Sequence, residues 1–125
     1  MAFTKLLSYL CVNQVIAYKD YFEDFLVKQP EKVQNKIYKV IEAIETLERV
    51  PKNYLKAITG TKGLYEARIS LSSNIWRVFC FFDKGKLVIL LNGFTKKTQK
   101  TPKKELNKAL RLMADYYNEK KEEKK

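Results

Sequence analysis

The chain has 125 residues, 46% of them hydrophobic and sixteen of them aromatic, which is the size and make-up of one packed domain and excludes wholesale disorder. Twenty-five Lys and Arg against fourteen Asp and Glu leave a net charge of +11 and a pI near 9.6. That balance points to a polyanionic partner, with nucleic acid first and an acidic membrane surface or acidic protein behind it.

The first thirteen residues contain a short apolar run, Leu6-Leu7-Ser8-Tyr9-Leu10-Cys11-Val12, behind Lys5. The run is brief and no small-x-small cleavage site follows, so residues 1–13 read as an N-terminal extension, not a signal peptide. No stretch reaches the ~18 apolar residues of a membrane span, so no membrane partner is expected. Gln14–Tyr18 is a first strand. Tyr21, Phe22, Phe25 and Leu26 recur at helical spacing over 19–29, and Pro30 closes that segment. Residues 31–49 carry Val33, Ile37, Val40, Ile41, Ile44 and Leu47 on one stripe, which predicts a one-sided amphipathic helix ended by Pro51.

The period then changes. Over Leu64–Leu71, Tyr65, Ala67, Ile69 and Leu71 fall on one face and Glu66, Arg68 and Ser70 on the other. Ser72-Ser73-Asn74 is a turn, Ile75–Phe82 a strongly β-prone strand, and Asp83-Lys84-Gly85 a hairpin loop. Leu87–Leu91 is apolar throughout, as suits a strand covered on both faces. Gly93 marks the end of that strand, and a Lys-rich loop runs on to Thr101. Thr101 suits an N-cap with Pro102 at the first helical position. Leu106, Ala109, Leu110, Met113 and Tyr117 line one face of a last helix, and the charged residues Lys120–Lys125 read as a loose tail. The expected architecture is α+β: two N-terminal helices packed on a curved antiparallel meander, with a C-terminal helix. Residues 14–118 form the single domain, and 119–125 the tail.

The sequence has no His, which removes the usual Ser-His-Asp and Cys-His arrangements, and it has no Walker A or GxGxxG motif. The acids are scattered and form no metal cluster, so neither metal nor cofactor is expected. Cys11 and Cys80 lack paired spacing, and Cys80 sits in the apolar run Val78–Phe82. They read as free thiols in a reducing cytoplasm.

Three features carry candidate chemistry. Glu66 and Arg68, two apart on a strand, project from one face. A carboxylate there can take a proton from a ribose 2′-OH while the guanidinium holds the phosphate; the alternative is a plain surface ion pair. Arg77 interrupts Ile75-Trp76-Arg77-Val78-Phe79 and shares its face with Ile75, Phe79 and Phe81. A charge among such neighbours is either functional or buried against Glu66 or another acid. Residues 84–104 hold seven Lys and no acid. Within them Lys96, Lys97, Gln99 and Lys100 stand between a strand end and a helix N-terminus, where phosphate is favoured; a merely solvated face is the other reading. Crowded cations depress one another's pKa, so one Lys can serve as a general acid. Lys56 and Lys62 join Lys97, Gln99 and Lys100 as candidate RNA contacts. Trp76 reads as core, and Phe94 as either core or a stacking surface.

The blocks Gly63-Leu64-Tyr65-Glu66-Ala67-Arg68-Ile69, Trp76-Arg77-Val78-Phe79, and Leu90-Leu91-Asn92-Gly93-Phe94-Thr95-Lys96-Lys97-Thr98-Gln99-Lys100-Thr101-Pro102, then Glu105 and Ala109, resemble the phage-derived HigB-like branch of the RelE/ParE toxin superfamily. The resemblance spans roughly 14–118. It implies a RelE-like fold and a metal-independent endoribonuclease that enters the ribosomal A site and cuts messenger RNA by 2′-OH attack. It also implies an inhibitory partner, a helix-turn-helix antitoxin of the HigA kind. By position, Glu66 and Arg68 match strand residues acting on the 2′-OH and phosphate. Arg77 matches the arginine that stabilises the transition state, and Lys96 and Lys97 match the basic loop; Lys96 completes the catalytic set. Relatives with Lys where Glu66 stands use an amine instead, and some carry a His that is absent here. Two other functions share such a chain: a non-enzymatic gyrase poison of the ParE kind, and a degenerate RNA-binding module.

Overall fold

A computed structural model describes residues 12–97 and 100–123. In chain order the elements are β1 (Gln14–Ala17), α1 (Tyr21–Val27), α2 (Glu31–Thr46), β2 (Leu55–Ala57), β3 (Leu64–Leu71), β4 (Asn74–Asp83), β5 (Leu87–Lys96) and α3 (Lys103–Glu123). The strands form one sheet ordered β1-β5-β4-β3-β2. The meander β2-β3-β4-β5 is antiparallel throughout, and β1 adds a parallel strand beside β5, making the sheet mixed.

Each face of the sheet has its own helical cover, because each strand alternates. Val33, Ile37, Val40 and Ile44 of α2, with Phe22, Phe25 and Leu26 of α1, pack on Ala67, Ile69, Trp76, Val78, Cys80, Val88 and Leu90. On the opposite face Ala109 and Leu112 of α3 pack on Leu64, Phe79, Phe81, Ile89 and Leu91. Ile37 and Ile44 are fully buried, and truncating either to Ala should cost about 2–5 kcal/mol.

Local details follow from satisfying the backbone. Pro30 opens α2, its carbonyl accepting from the Val33 and Gln34 N–H groups. The helix stops at Thr46, short of Pro51. The N–H groups of Val12 and Asn13 donate to the Glu45 carbonyl, and Asn13 Nδ2 donates to the Ile44 carbonyl. The incoming chain thereby caps the last turn. Lys84 and Gly85 both adopt positive φ in the β4–β5 connection.

Three expectations need correction. Gly93 does not end β5, which runs on to Lys96, so Lys96 is a strand residue and not part of a loop. Nor are residues 119–123 loose: α3 continues to Glu123. Glu119 accepts from Tyr18 Oη at 2.8 Å and pairs with Lys19, while Lys120 donates to Asp83. The last helix begins at Lys103, one residue later than expected, and the Pro102 carbonyl accepts from the Leu106 N–H. Residues 1–11, including Cys11, and residues 98, 99, 124 and 125 lie outside the described residues.

Candidate functional site

The sheet register gathers the candidate residues. Lys56 on β2 stands opposite Glu66 on β3, and Glu66 opposite Phe79 on β4. One step along, Arg68 opposes Arg77, and Arg77 opposes Phe94 on β5; Lys96 opposes Ile75. Directly paired residues share a face, so Lys56, Glu66, Arg68, Arg77 and Lys96 all project from the side that carries α3.

Lys96 reaches that side only because β5 is irregular. Leu90 pairs with Cys80 and Gly93 with Val78, so two residues of β5, Leu91 and Asn92, stand against the single residue Phe79. This is a β-bulge, and an extra residue switches which face later side chains occupy. Before it, Ile89 and Leu91 face α3; after it, Phe94 does, and Lys96 with it. Strict alternation from Ile89 would have sent Lys96 to the α2 side. Gly93 completes the switch. A Cβ there would lie 2.5 Å from Cδ2 of Phe25, so the α1 ring packs directly on bare backbone.

Glu66 and Arg77 are buried, at 7% and 4% exposure. A single carboxylate oxygen, Glu66 Oε1, lies 3.7 Å from Arg77 Nε and 3.6 Å from Arg68 Nε. Arg77 Nη1 donates to the carbonyl of Trp76 at 3.1 Å, while its buried Nε has no hydrogen-bond partner. Burial, then the charge of Arg68, lowers the Arg77 pKa against the opposing pull of Glu66. Lys96 is also lowered, first by burial and then by Arg77, with Arg68 and Lys56 adding to the effect and Glu66 opposing it. The cluster is therefore one acid among four cations, a surplus of positive charge with one base inside it. Such a set can hold a phosphate while the carboxylate accepts a proton beside it.

Not every candidate joins this cluster. Lys62 is exposed in the connection before β3. It has no place in the strand register that gathers the cluster. Lys97 and Lys100 are exposed beyond the end of β5, and Gln99 lies outside the described residues. Phe94 is buried and stacks on Phe79 with centroids 5.4 Å apart, so it belongs to the core, as does Trp76. Cavities of about 620 and 480 Å³ sit elsewhere: the first beside Val12, Glu45 and Lys86, the second between Val50, Leu55, Tyr65 and Phe82, touching the cluster only at Lys56. The buried Glu66–Arg77 pair lines neither cavity; Arg68 and Lys96 beside it are half-buried and Lys56 is exposed. Among the described residues no three His, Cys, Asp or Glu side chains converge as a metal site, and no helix is long and apolar enough to cross a membrane.

Residues 24–114 match the profile of a family described as "Phage derived protein Gp49-like". No curated protein matches the chain. Among solved structures, the chain is similar to one in the archaeal RelE–RelB complex from Pyrococcus horikoshii OT3. The two share 22% identity with a TM-score of 0.51, over 68% of this chain and 96% of that one.

Proposed function

Because the chain belongs to the phage-derived Gp49-like family and has a RelE-like fold, we propose that it is the toxin of a toxin–antitoxin pair, acting as a ribosome-dependent endoribonuclease on messenger RNA. The observation that carries this reading is the buried Glu66–Arg77 pair set among Arg68, Lys56 and Lys96 on the sheet face that carries α3.

In the proposed reaction the Glu66 carboxylate takes the proton from a ribose 2′-OH, and the 2′-oxygen attacks the adjacent phosphorus. Negative charge grows on the non-bridging phosphate oxygens, where the guanidiniums of Arg77 and Arg68 hold it. As the P–O5′ bond breaks, Lys96 gives its proton to the departing 5′-oxygen. The products are a 2′,3′-cyclic phosphate and a 5′-hydroxyl, with one proton taken up and one released. Lys97, Lys100, Lys56 and, by the family resemblance, Gln99 contribute phosphate contacts along the strand. Lys62, outside the strand register of the cluster, is proposed only as a peripheral RNA contact. Residues 14–118, extended by α3 to Glu123, are the proposed functional unit. The archaeal RelE–RelB complex supports a cognate protein partner as the proposed inhibitor, and the family resemblance suggests that it is a helix-turn-helix antitoxin.

Inducible expression tests the reading. Charge reversal at residue 77 would set two carboxylates together in a buried pair, so Arg77→Met, which keeps the bulk, is the cleaner variant. Wild-type protein should arrest growth and produce new 5′ ends on ribosome-bound message by primer extension. A folded Arg77→Met protein should do neither while still binding its antitoxin. Arrest without message cleavage, accompanied by loss of gyrase supercoiling, would give the ParE-like function instead.

A further inference from the structure

Between Lys84 and Met113 the chain carries nine Lys and Arg and a single acid, Glu105. Glu105 stands in the first turn of α3 and meets Asn92 of the β5 bulge. Asn92 Nδ2 donates to the Glu105 carboxylate at 3.0 Å and to the Glu105 backbone carbonyl at 3.3 Å. Both partners can only accept, which settles which end of the amide faces α3. Asn92 is 3% exposed, and its other end, Oδ1, has no hydrogen-bond partner. A buried amide satisfied on one side only contributes less to stability than a fully bonded one.

What the contact does achieve is geometric. Asn92 lies four residues before Lys96, at the bulge that turns Lys96 toward Arg77, and Glu105 lies two residues into the helix that follows. We propose that Asn92 and Glu105 are a positioning pair for the cleavage reaction. They lock the start of α3 to the β5 bulge and so fix Lys96 relative to the Glu66–Arg77 pair; neither needs to touch the RNA. The inference rests on the nuclease reading and adds to it two residues that act through Lys96.

Two variants test it, with kcat and KM measured on ribosome-bound message alongside thermal unfolding. Asn92→Leu keeps the bulk and removes the donor. It should remain folded at the assay temperature, lose kcat by roughly tenfold or more and leave KM little changed. Asn92→Asp sets two carboxylates face to face and should be slow as well. Asn92→Asp with Glu105→Gln rebuilds the bond with its polarity reversed and should recover most of the lost kcat. Asn92→Leu cutting as fast as wild type, or a folded double variant no faster than Asn92→Asp alone, overturns the inference and leaves the nuclease reading standing. Wild-type protein that leaves message intact removes both together.

Discussion

Arg77 combines deep burial with a charge that burial opposes, and its neighbours leave that charge only partly answered. Glu66 sits at ion-pair distance but makes no hydrogen bond to Nε, and Arg68 repels it. Deleting Glu66 outright would strand a buried guanidinium, at about 3–5 kcal/mol, so Glu66→Gln is the informative change there. Lys96 gives the sharpest pH prediction. Its pKa is lowered, so the protonated form needed by a general acid is lost at a lower pH than for an ordinary lysine. Cleavage should therefore fall as pH rises through that lowered value. A pH–kcat profile of Lys96→Arg should carry this alkaline limb to higher pH, and an unmoved limb would remove Lys96 as the acid. Cys80 needs no role: burial, then the charge of Glu66, pushes its thiol up to about 12. The shared face of Glu66 and Arg68 was legible in the sequence from alternation within β3, whereas the placement of Arg77 opposite Arg68 comes from the β3–β4 register. Lys96 was legible as a basic residue, but its place was not, because the bulge at Leu91–Asn92 depends on pairing with a distant strand.

The elements show the same division. The two N-terminal helices, the β3–β4 and β4–β5 hairpins and α3 follow from periodicity and from Pro30 and Pro102, whereas α2 ends at Thr46, before Pro51. β2, at three residues, is too short to show a period, and nothing local in Gln14–Ala17 reveals that it runs parallel to β5. Gly93 looked like a strand end because glycine usually is one; here it admits the Phe25 ring. Gly93→Ala should destabilise by about 1–3 kcal/mol through overpacking, seen as a lower denaturant midpoint. Phe25→Leu in the same chain should recover part of the loss. The far half of α3 is held by Asp83, whose Oδ2 accepts from Tyr116 Oη and from Lys120 Nζ, each at 2.5 Å. Burial works to raise the Asp83 pKa, but the bonds from Lys120 and Tyr116 outweigh it and leave the value lowered. For a carboxyl lowered in the folded state, the stabilisation is present above its unfolded value and disappears as pH falls through the folded one. Acid should therefore loosen the C-terminal half of α3. Asp83→Asn should abolish that acid-dependent step, read by hydrogen exchange at Tyr116 to Lys120.

At the scale of the whole molecule, a net charge of +11 draws the chain to any polyanion and says little about which one. The fold is equally permissive, since one scaffold serves unrelated activities. What distinguishes a nuclease is a base and a phosphate clamp on the same surface, the roles proposed for Glu66 and for Arg77, Arg68 and Lys96. The most direct test replaces a single atom of the substrate. A message with a 2′-deoxy nucleotide immediately 5′ of the mapped cut should pass through the ribosome uncut at that site in the presence of the protein, while the all-ribose message yields a fragment ending in a 2′,3′-cyclic phosphate. Equal cleavage of both messages would contradict attack by the 2′-oxygen, and with it the role assigned to Glu66.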